Sequence, residues 1–361
     1  MYKNIFEDKK GYHTRECVED KLRSPILDFY TYPPIGGDDW RYAFQTAQVR
    51  ALEIQMLSRA TFLDMANAQN FEHAADLLSA TEYALPQAGR NIAEMENILR
   101  HRRAAARELF EILCIDKHIV RLLKARDDFA NLRLALRRTL TEKPIATDYS
   151  DQGNVPNEQF EQVFEQENYT LFPDYMQEAV EQAVLAYYAN KDIRQIDYAI
   201  DSAQAEYNLK KARKLESLFL LGLFRIQIDL TNIRTMLRLK FTEAEQQSVF
   251  LKGGYIELER LQKGLDVGYE GLGPLFFVTP YHRVVETGAN YLASNKSFLK
   301  LEQQCEQHLT GFLKTTIQIT AGPQPIIAFL LMNENEIRTV RLILTAKKNH
   351  LDTKLILDRI S

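Results

Sequence analysis

The chain has 361 residues, 45% apolar and 26% charged, with a formal net charge of −4. That is the composition of an ordinary soluble globular protein, long enough to bury two or three cores. Three scattered cysteines, Cys17, Cys114 and Cys305, argue against a disulfide framework and for a reducing compartment. The longest apolar runs, 218–224 and 325–332, are far too short to span a bilayer.

Taken in order, residues 1–37 read as an irregular lead-in ending at Pro33-Pro34-Ile35-Gly36-Gly37, with no apolar signal-peptide region after Met1. A first helical unit is expected over 38–144. It opens at Trp40-Arg41-Tyr42-Ala43-Phe44, breaks at Leu85-Pro86-Gln87-Ala88-Gly89, and continues as one long helical segment over 90–140. Residues 145–171 read as an acidic linker, because 144–190 holds nine acids and no Lys or Arg. A second unit is expected over 172–263, entering a helix near Tyr175 and carrying a stop signal at Lys252-Gly253-Gly254. The remainder, 264–361, reads as a loop region followed by a third unit, broken at Gly322-Pro323-Gln324-Pro325. Gly and Pro are absent from 38–85, 90–143, 174–221 and 326–361, which predicts long helices and an all-α fold. Only 274–280 looks strand-like.

One helical phrase recurs. Asp128-Phe129-Ala130-Asn131-Leu132-Arg133, with Arg137 four residues on, is repeated as Asp229-Leu230-Thr231-Asn232-Ile233-Arg234 with Arg238. A weaker third copy is Asn333-Glu334-Asn335-Glu336-Ile337-Arg338. A spacing near one hundred residues is too long for a solenoid and suggests one helical domain used three times. Phe129, Leu132, Leu136 and Leu140 match Leu230, Ile233, Leu237 and Phe241, a single helical stripe. The polar residues beside that stripe fit either a recurring binding surface or buried anchors that satisfy backbone groups of a neighbour.

Constellations that would carry chemistry are not evident. Neither Gly36-Gly37 nor Gly253-Gly254 has the further residues of a phosphate loop, no Gly-x-Ser-x-Gly elbow occurs, and the seven histidines are dispersed. No catalytic residue, cofactor site or metal site is expected. Asp197 and Asp201, at i and i+4, are the one carboxylate pair that could do acid–base work, but they read better as exposed or anchoring groups. Residues 100–138 carry eleven basic against five acidic residues, interleaved with Ala and Leu. The block reads as a solvated helix face, not as a nucleic-acid site.

Tyr42-Ala43-Phe44 with Val49-Arg50-Ala51-Leu52-Glu53, Ile196-Asp197-Tyr198-Ala199-Ile200-Asp201, the Asp229–Arg234 phrase with Gly253-Gly254, and above all Pro325-Ile326-Ile327-Ala328-Phe329-Leu330 followed by Asn335-Glu336-Ile337-Arg338 carry a resemblance. Over about 40–361 the chain resembles the C subunits of bacterial and archaeal V-type ATPases, a family that includes the d subunit of the eukaryotic V-ATPase. The resemblance implies three similar helical domains arranged as a funnel with pseudo-threefold symmetry. It implies a non-catalytic component on the cytoplasmic face of the membrane, resting on the proteolipid ring and receiving the foot of the central axle. No cofactor, small-molecule substrate or nucleic acid is implied. Arg133, Arg137, Arg234 and Arg238 are the candidates for a partner-binding cavity wall, and the basic and acidic blocks are candidate polar surfaces. The alternatives are a stand-alone helical adaptor or regulatory protein sharing the fold, and a helical enzyme using Asp197 and Asp201.

Overall fold

The computed structural model describes residues 32–86, 91–141, 149–243 and 249–360. Among them no strand forms. Fifteen α-helices follow in order: α1 (Ala43–Glu53), α2 (Arg59–Asn67), α3 (Phe71–Asp76), α4 (Ile92–Leu113), α5 (Lys117–Thr141), α6 (Asn157–Glu165), α7 (Asp174–Asn190), α8 (Arg194–Lys214), α9 (Leu218–Thr242), α10 (Leu258–Asp266), α11 (Tyr269–Phe276), α12 (His282–Asn295), α13 (Leu299–Lys314), α14 (Pro323–Lys348) and α15 (Thr353–Ile360). Most of the lead-in lies outside the described residues.

The all-α expectation holds, and three local readings change. The segment 90–140 is two helices, α4 and α5, divided at Cys114-Ile115-Asp116, where the Asp116 carboxylate accepts from the His118 N–H at 2.9 Å and starts α5. The strand-like patch 274–280 is the end of α11 and the turn after it; so short an apolar run shows no period, and a strand and a helix end look alike in it. Within the acidic stretch, Phe160 and Val163 on α6 are fully buried. An amphipathic helix whose polar face is all Glu, Gln and Asn gives a linker-like composition.

Side chains cap the helix starts where the sequence offers them: Ser58 for α2, Asn70 for α3, Asn91 for α4 and Ser217 for α9. The apolar residues gather into three cores. One joins α5, α6, α7 and α8, from Ala125 to Ala203. A second joins the early residues Met65–Leu99 to Ile337–Ile356 on α14 and α15. The largest takes in α1, the junction of α4 and α5, most of α9 to α13, and the first turns of α14. The cores thus draw on segments from more than one of the units expected from the sequence, and the one furthest from that expectation pairs an early segment, Met65–Leu99, with a late one, Ile337–Ile356. Residues 32–39 run against the later half as well: Tyr32 donates to the His308 carbonyl at 3.0 Å, and the Gln324 amide donates to the carbonyls of Ile35 and Gly37.

Candidate partner-binding cleft

Three long helices, α5, α9 and α14, carry the three copies of the recurring phrase. On α5, Asp128 accepts from the N–H groups of Asn154 and Val155 (2.7 and 3.0 Å), from the Asn154 amide and from the Tyr175 hydroxyl (2.7 Å each). On α9, Asp229 accepts from the N–H groups of Tyr255 and Ile256 (2.9 and 3.1 Å) and from the Tyr281 hydroxyl (2.8 Å). The asparagines repeat the match. Asn131 exchanges two hydrogen bonds with the backbone of Ser150, and Asn232 exchanges two with Leu251, both 19 residues along the chain. All four side chains are buried. They are the anchors that hold the loop following each long helix, and the binding-surface reading of them fails. Gly153 and Gly254 explain why those loops can approach so closely: a Cβ at either would overlap the aspartate carboxylate.

On α14 the arrangement is altered. Asn333 bonds only to the Phe329 carbonyl of its own helix (2.9 Å), while Glu336 accepts from the Leu57 N–H at 2.6 Å and the Tyr83 hydroxyl at 2.8 Å. The loop braced by α14 is therefore the one entering α2, more than two hundred residues earlier. Burial holds Glu336 above the ordinary carboxylate range despite the Tyr83 and Leu57 bonds.

The four arginines named from the sequence face α8 and α13. Arg133 pairs with Asp201, and Arg137 pairs with Asp197, joining α5 to α8. Arg234 and Arg238 share Glu302 at 2.7 and 3.0 Å, joining α9 to α13. The separations Arg133–Asp201 and Arg234–Glu302 are identical, 68 residues. On α14, Arg341 reaches Glu96 of α4 at 2.9 Å, while Arg338 faces Glu306 of α13 at 3.6 Å. These residues form a recurrent interhelical ladder, and the carboxylates Asp197 and Asp201 are engaged in it.

The same three helices converge elsewhere on a cleft of about 70 Å³. Arg126, Gln227 and Leu331 line it from α5, α9 and α14. By the alignment of the recurring phrase they occupy one equivalent position, two residues before Asp128 and Asp229 and two before Asn333. Phe224 and Leu123 line it one turn earlier. A charged cluster forms one wall. Glu334 meets Arg107 at 2.8 Å, Arg126 at 3.0 Å and Arg103 at 3.7 Å, and Arg107 also meets Asp127 at 3.0 Å. Arg107, Asp127 and Glu334 are buried, while Arg103 and Arg126 keep 41% and 51% of their side chains exposed. Burial alone would raise the Glu334 pKa; the guanidiniums of Arg126, Arg107 and Arg103 outweigh it and hold the carboxyl below its usual range.

This cluster is not legible in the sequence. Its arginines sit in the basic block 100–138, where the interleaved alanines suggest solvent. Its acid, Glu334, lies 227 residues beyond Arg107. Among the described residues no helix is long and apolar enough to cross a membrane, and no group of three or more His, Cys, Asp or Glu is placed to hold a metal ion.

An all-α body in which α5 and α9 brace the segments after them with matching bonds, and meet α14 at one cleft, defines an all-α protein with a recurring helical element. Comparison with known proteins gives the class a family. The chain matches the ATP synthase (C/AC39) subunit family over residues 45–359 and belongs to it. It is similar to the V-type ATP synthase C subunit of Thermus thermophilus, with 23% identity covering 85% of this chain and 94% of the relative. It is also similar to the V-type sodium ATPase C subunit of Enterococcus hirae, with 22% identity over 86% and 95% of the two chains.

Proposed function

We propose that this chain is the non-catalytic coupling component of a rotary V-type ATPase, seated on the cytoplasmic face between the proteolipid ring and the central axle of the motor head. The observation that carries the reading is the convergence of three register-equivalent helices, α5, α9 and α14, on a single cleft. Such a centre suits the end of a rotating shaft, and the three surrounding helical groups suit a funnel with pseudo-threefold symmetry. The ladder Arg133/Arg137–Asp197/Asp201 and Arg234/Arg238–Glu302 supports the reading from another direction. A part that transmits torque must not bend, and the ladder ties each long helix to its neighbour. In this reading the four arginines, which do not line the cleft, stiffen the helices that form it, and Arg238, the most exposed of them, also has room to meet a partner.

The test is reconstitution of motor head, axle and ring with and without this chain. The expected outcome is ATP hydrolysis by the head in both cases and ATP-driven ion pumping only when the chain is present. Pumping at the same rate without it would overturn the proposal.

A further inference from the structure

Helix α1 is apolar on two opposite sides. Its inner side, with Val49 and with Tyr42 just before it, is buried in the largest core. Its outer side carries Phe44, Ala47, Ala51 and Ile54, in line with Trp40 in the short helical turn before it, and all five are exposed. Steps of four, three, four and three residues keep them on one face. Ile54 at 85% and Phe44 at 75% are, with Ile317 at 76%, the most exposed large apolar side chains among the described residues. Arg50 donates to the Thr316 carbonyl at 2.7 Å, which fastens the turn Thr315–Gln318, with Ile317, alongside α1. A helix apolar on both sides is ordinarily covered on both, and a continuous exposed apolar patch marks an interaction surface.

We infer that this face seats a second copy of the same chain, α1 against α1, antiparallel about Ala47. Three observations select that occupant. The face is self-complementary: Trp40 and Ile54 lie seven residues to either side of Ala47, and the exposed Ala43 and Ala51 lie four. A twofold axis through Ala47 therefore sets Trp40 against Ile54 of the second copy and Ala43 against Ala51 of the second copy, each contact made twice. The relief of the face suits a helix and not a flat surface, because the small alanines let another backbone approach between the large side chains at either end. Its charge suits a like surface. Two copies bring identical charges together, which is costly unless the rim is neutral. Here Arg41 is paired with Asp39 at 2.6 Å and Arg50 with Glu53 at 2.8 Å. Size sets the strength. Trp40 and Phe44 offer about 150–250 Å² each, and with Ile54 and Ile317 the contact stays below the roughly 800 Å² per partner of a standard interface. The pairing is weak and reversible, with a Kd on the order of 10 μM. It concerns the chain outside any complex and does not rest on the coupling reading.

The experiment is sedimentation velocity on the full chain from about 1 to 100 μM, which brackets that Kd, joined to disulfide trapping. The wild type is expected to pass from monomer to dimer across the range. Phe44→Glu, which sets a charge in the covered face of each copy, should stay monomeric. It should also melt like the wild type, because Phe44 is exposed in the single chain. For trapping, Cys17→Ser removes the one cysteine outside the described residues, and Cys114 and Cys305 are buried. In that background, under copper–phenanthroline, Ala47→Cys should give a covalent dimer, since position 47 meets its own copy. Ala51→Cys should not. Its two copies lie about 12 Å apart along the helices, beyond the roughly 4.4–6.8 Å between Cα atoms that a disulfide spans. A wild type that is monomeric throughout overturns the inference. So does a dimer that survives Phe44→Glu, or trapping that does not favour position 47 over 51. A monomeric chain that sediments with phosphatidylglycerol vesicles, and ceases to in Phe44→Glu, gives the face to a bilayer and overturns it as well. Each of these results leaves the coupling reading as it stands.

Discussion

At the scale of single residues, the anchors of α9 set two opposing acid responses side by side. Asp229 is pushed up to about 6 by burial, against the pull of the Ile256 and Tyr255 N–H groups and the Tyr281 hydroxyl. His308, whose ring packs 4.8 Å from that of Tyr281, is held down at about 4, also by burial. Between the unfolded and folded values of Asp229 the native state holds a proton that the unfolded chain does not, so this residue adds stability as pH falls from about 6 to 4. For His308 the unfolded chain takes the proton first, so stability is lost as pH falls through 6.5 toward 4. Each effect is worth roughly 3 kcal/mol at its limit, and the two act in opposite directions. Asp229→Asn removes one side of that balance. Its thermal melts should show a deficit against the wild type that widens steadily from pH 7 to pH 4.5; a constant deficit would mean that Asp229 is not the group titrating. Asn232→Leu probes the neighbouring anchor without a charge. It strands the N–H and carbonyl of the half-buried Leu251, and the expected loss is about 1–3 kcal/mol in denaturant unfolding.

At the scale of helices, the ladder shows what pattern alone can and cannot reveal. The stripe Phe129, Leu132 and Leu136, and its match Leu230, Ile233 and Leu237, is core in both helices, as a period of 3.6 requires. The polar letters beside it are legible as a repeat because Asp, Asn and Arg recur at fixed offsets. Their roles are not, because a role depends on what lies opposite. Asp197 and Asp201 stand one turn apart, a spacing that catalytic carboxylates also use; the arginines that claim them are sixty or more residues earlier. The α4–α5 break is hidden because Asp116 caps a helix without any Gly or Pro to mark the spot. Half-exposed ion pairs contribute modestly, about 0.2–1 kcal/mol each. Glu302→Gln, which loosens two arginines at once, is therefore expected to lower stability by only about 1 kcal/mol. The same change should raise hydrogen exchange along α13 relative to α12, since α13 loses its tie to α9. Unchanged exchange in α13 would show that apolar packing alone holds the pair rigid.

At the scale of the molecule, an early and a late segment of the chain share one core. A sequence read from left to right divides into consecutive units, and nothing local in residues 65–99 says that their apolar faces are covered by residues 337–356. That pairing becomes visible only in three dimensions, where α14 packs against α1, α2, α3 and α4 and where Glu336 closes on Leu57 and Tyr83. The arrangement leaves neither segment to bury its apolar face alone. It also makes a prediction that a string of independent domains would not satisfy. Leu344 on α14 is buried in the seam between the two segments. Leu344→Ala should cost about 2–5 kcal/mol, the range for a buried leucine that leaves a cavity. Hydrogen exchange in that variant should rise in α2, α3 and α4, which lie more than two hundred residues upstream. Protection should stay at the wild-type level in α6 and α7, whose core is separate. If exchange instead rises only within α14 and α15, the early helices are held by their own contacts and the seam contributes little.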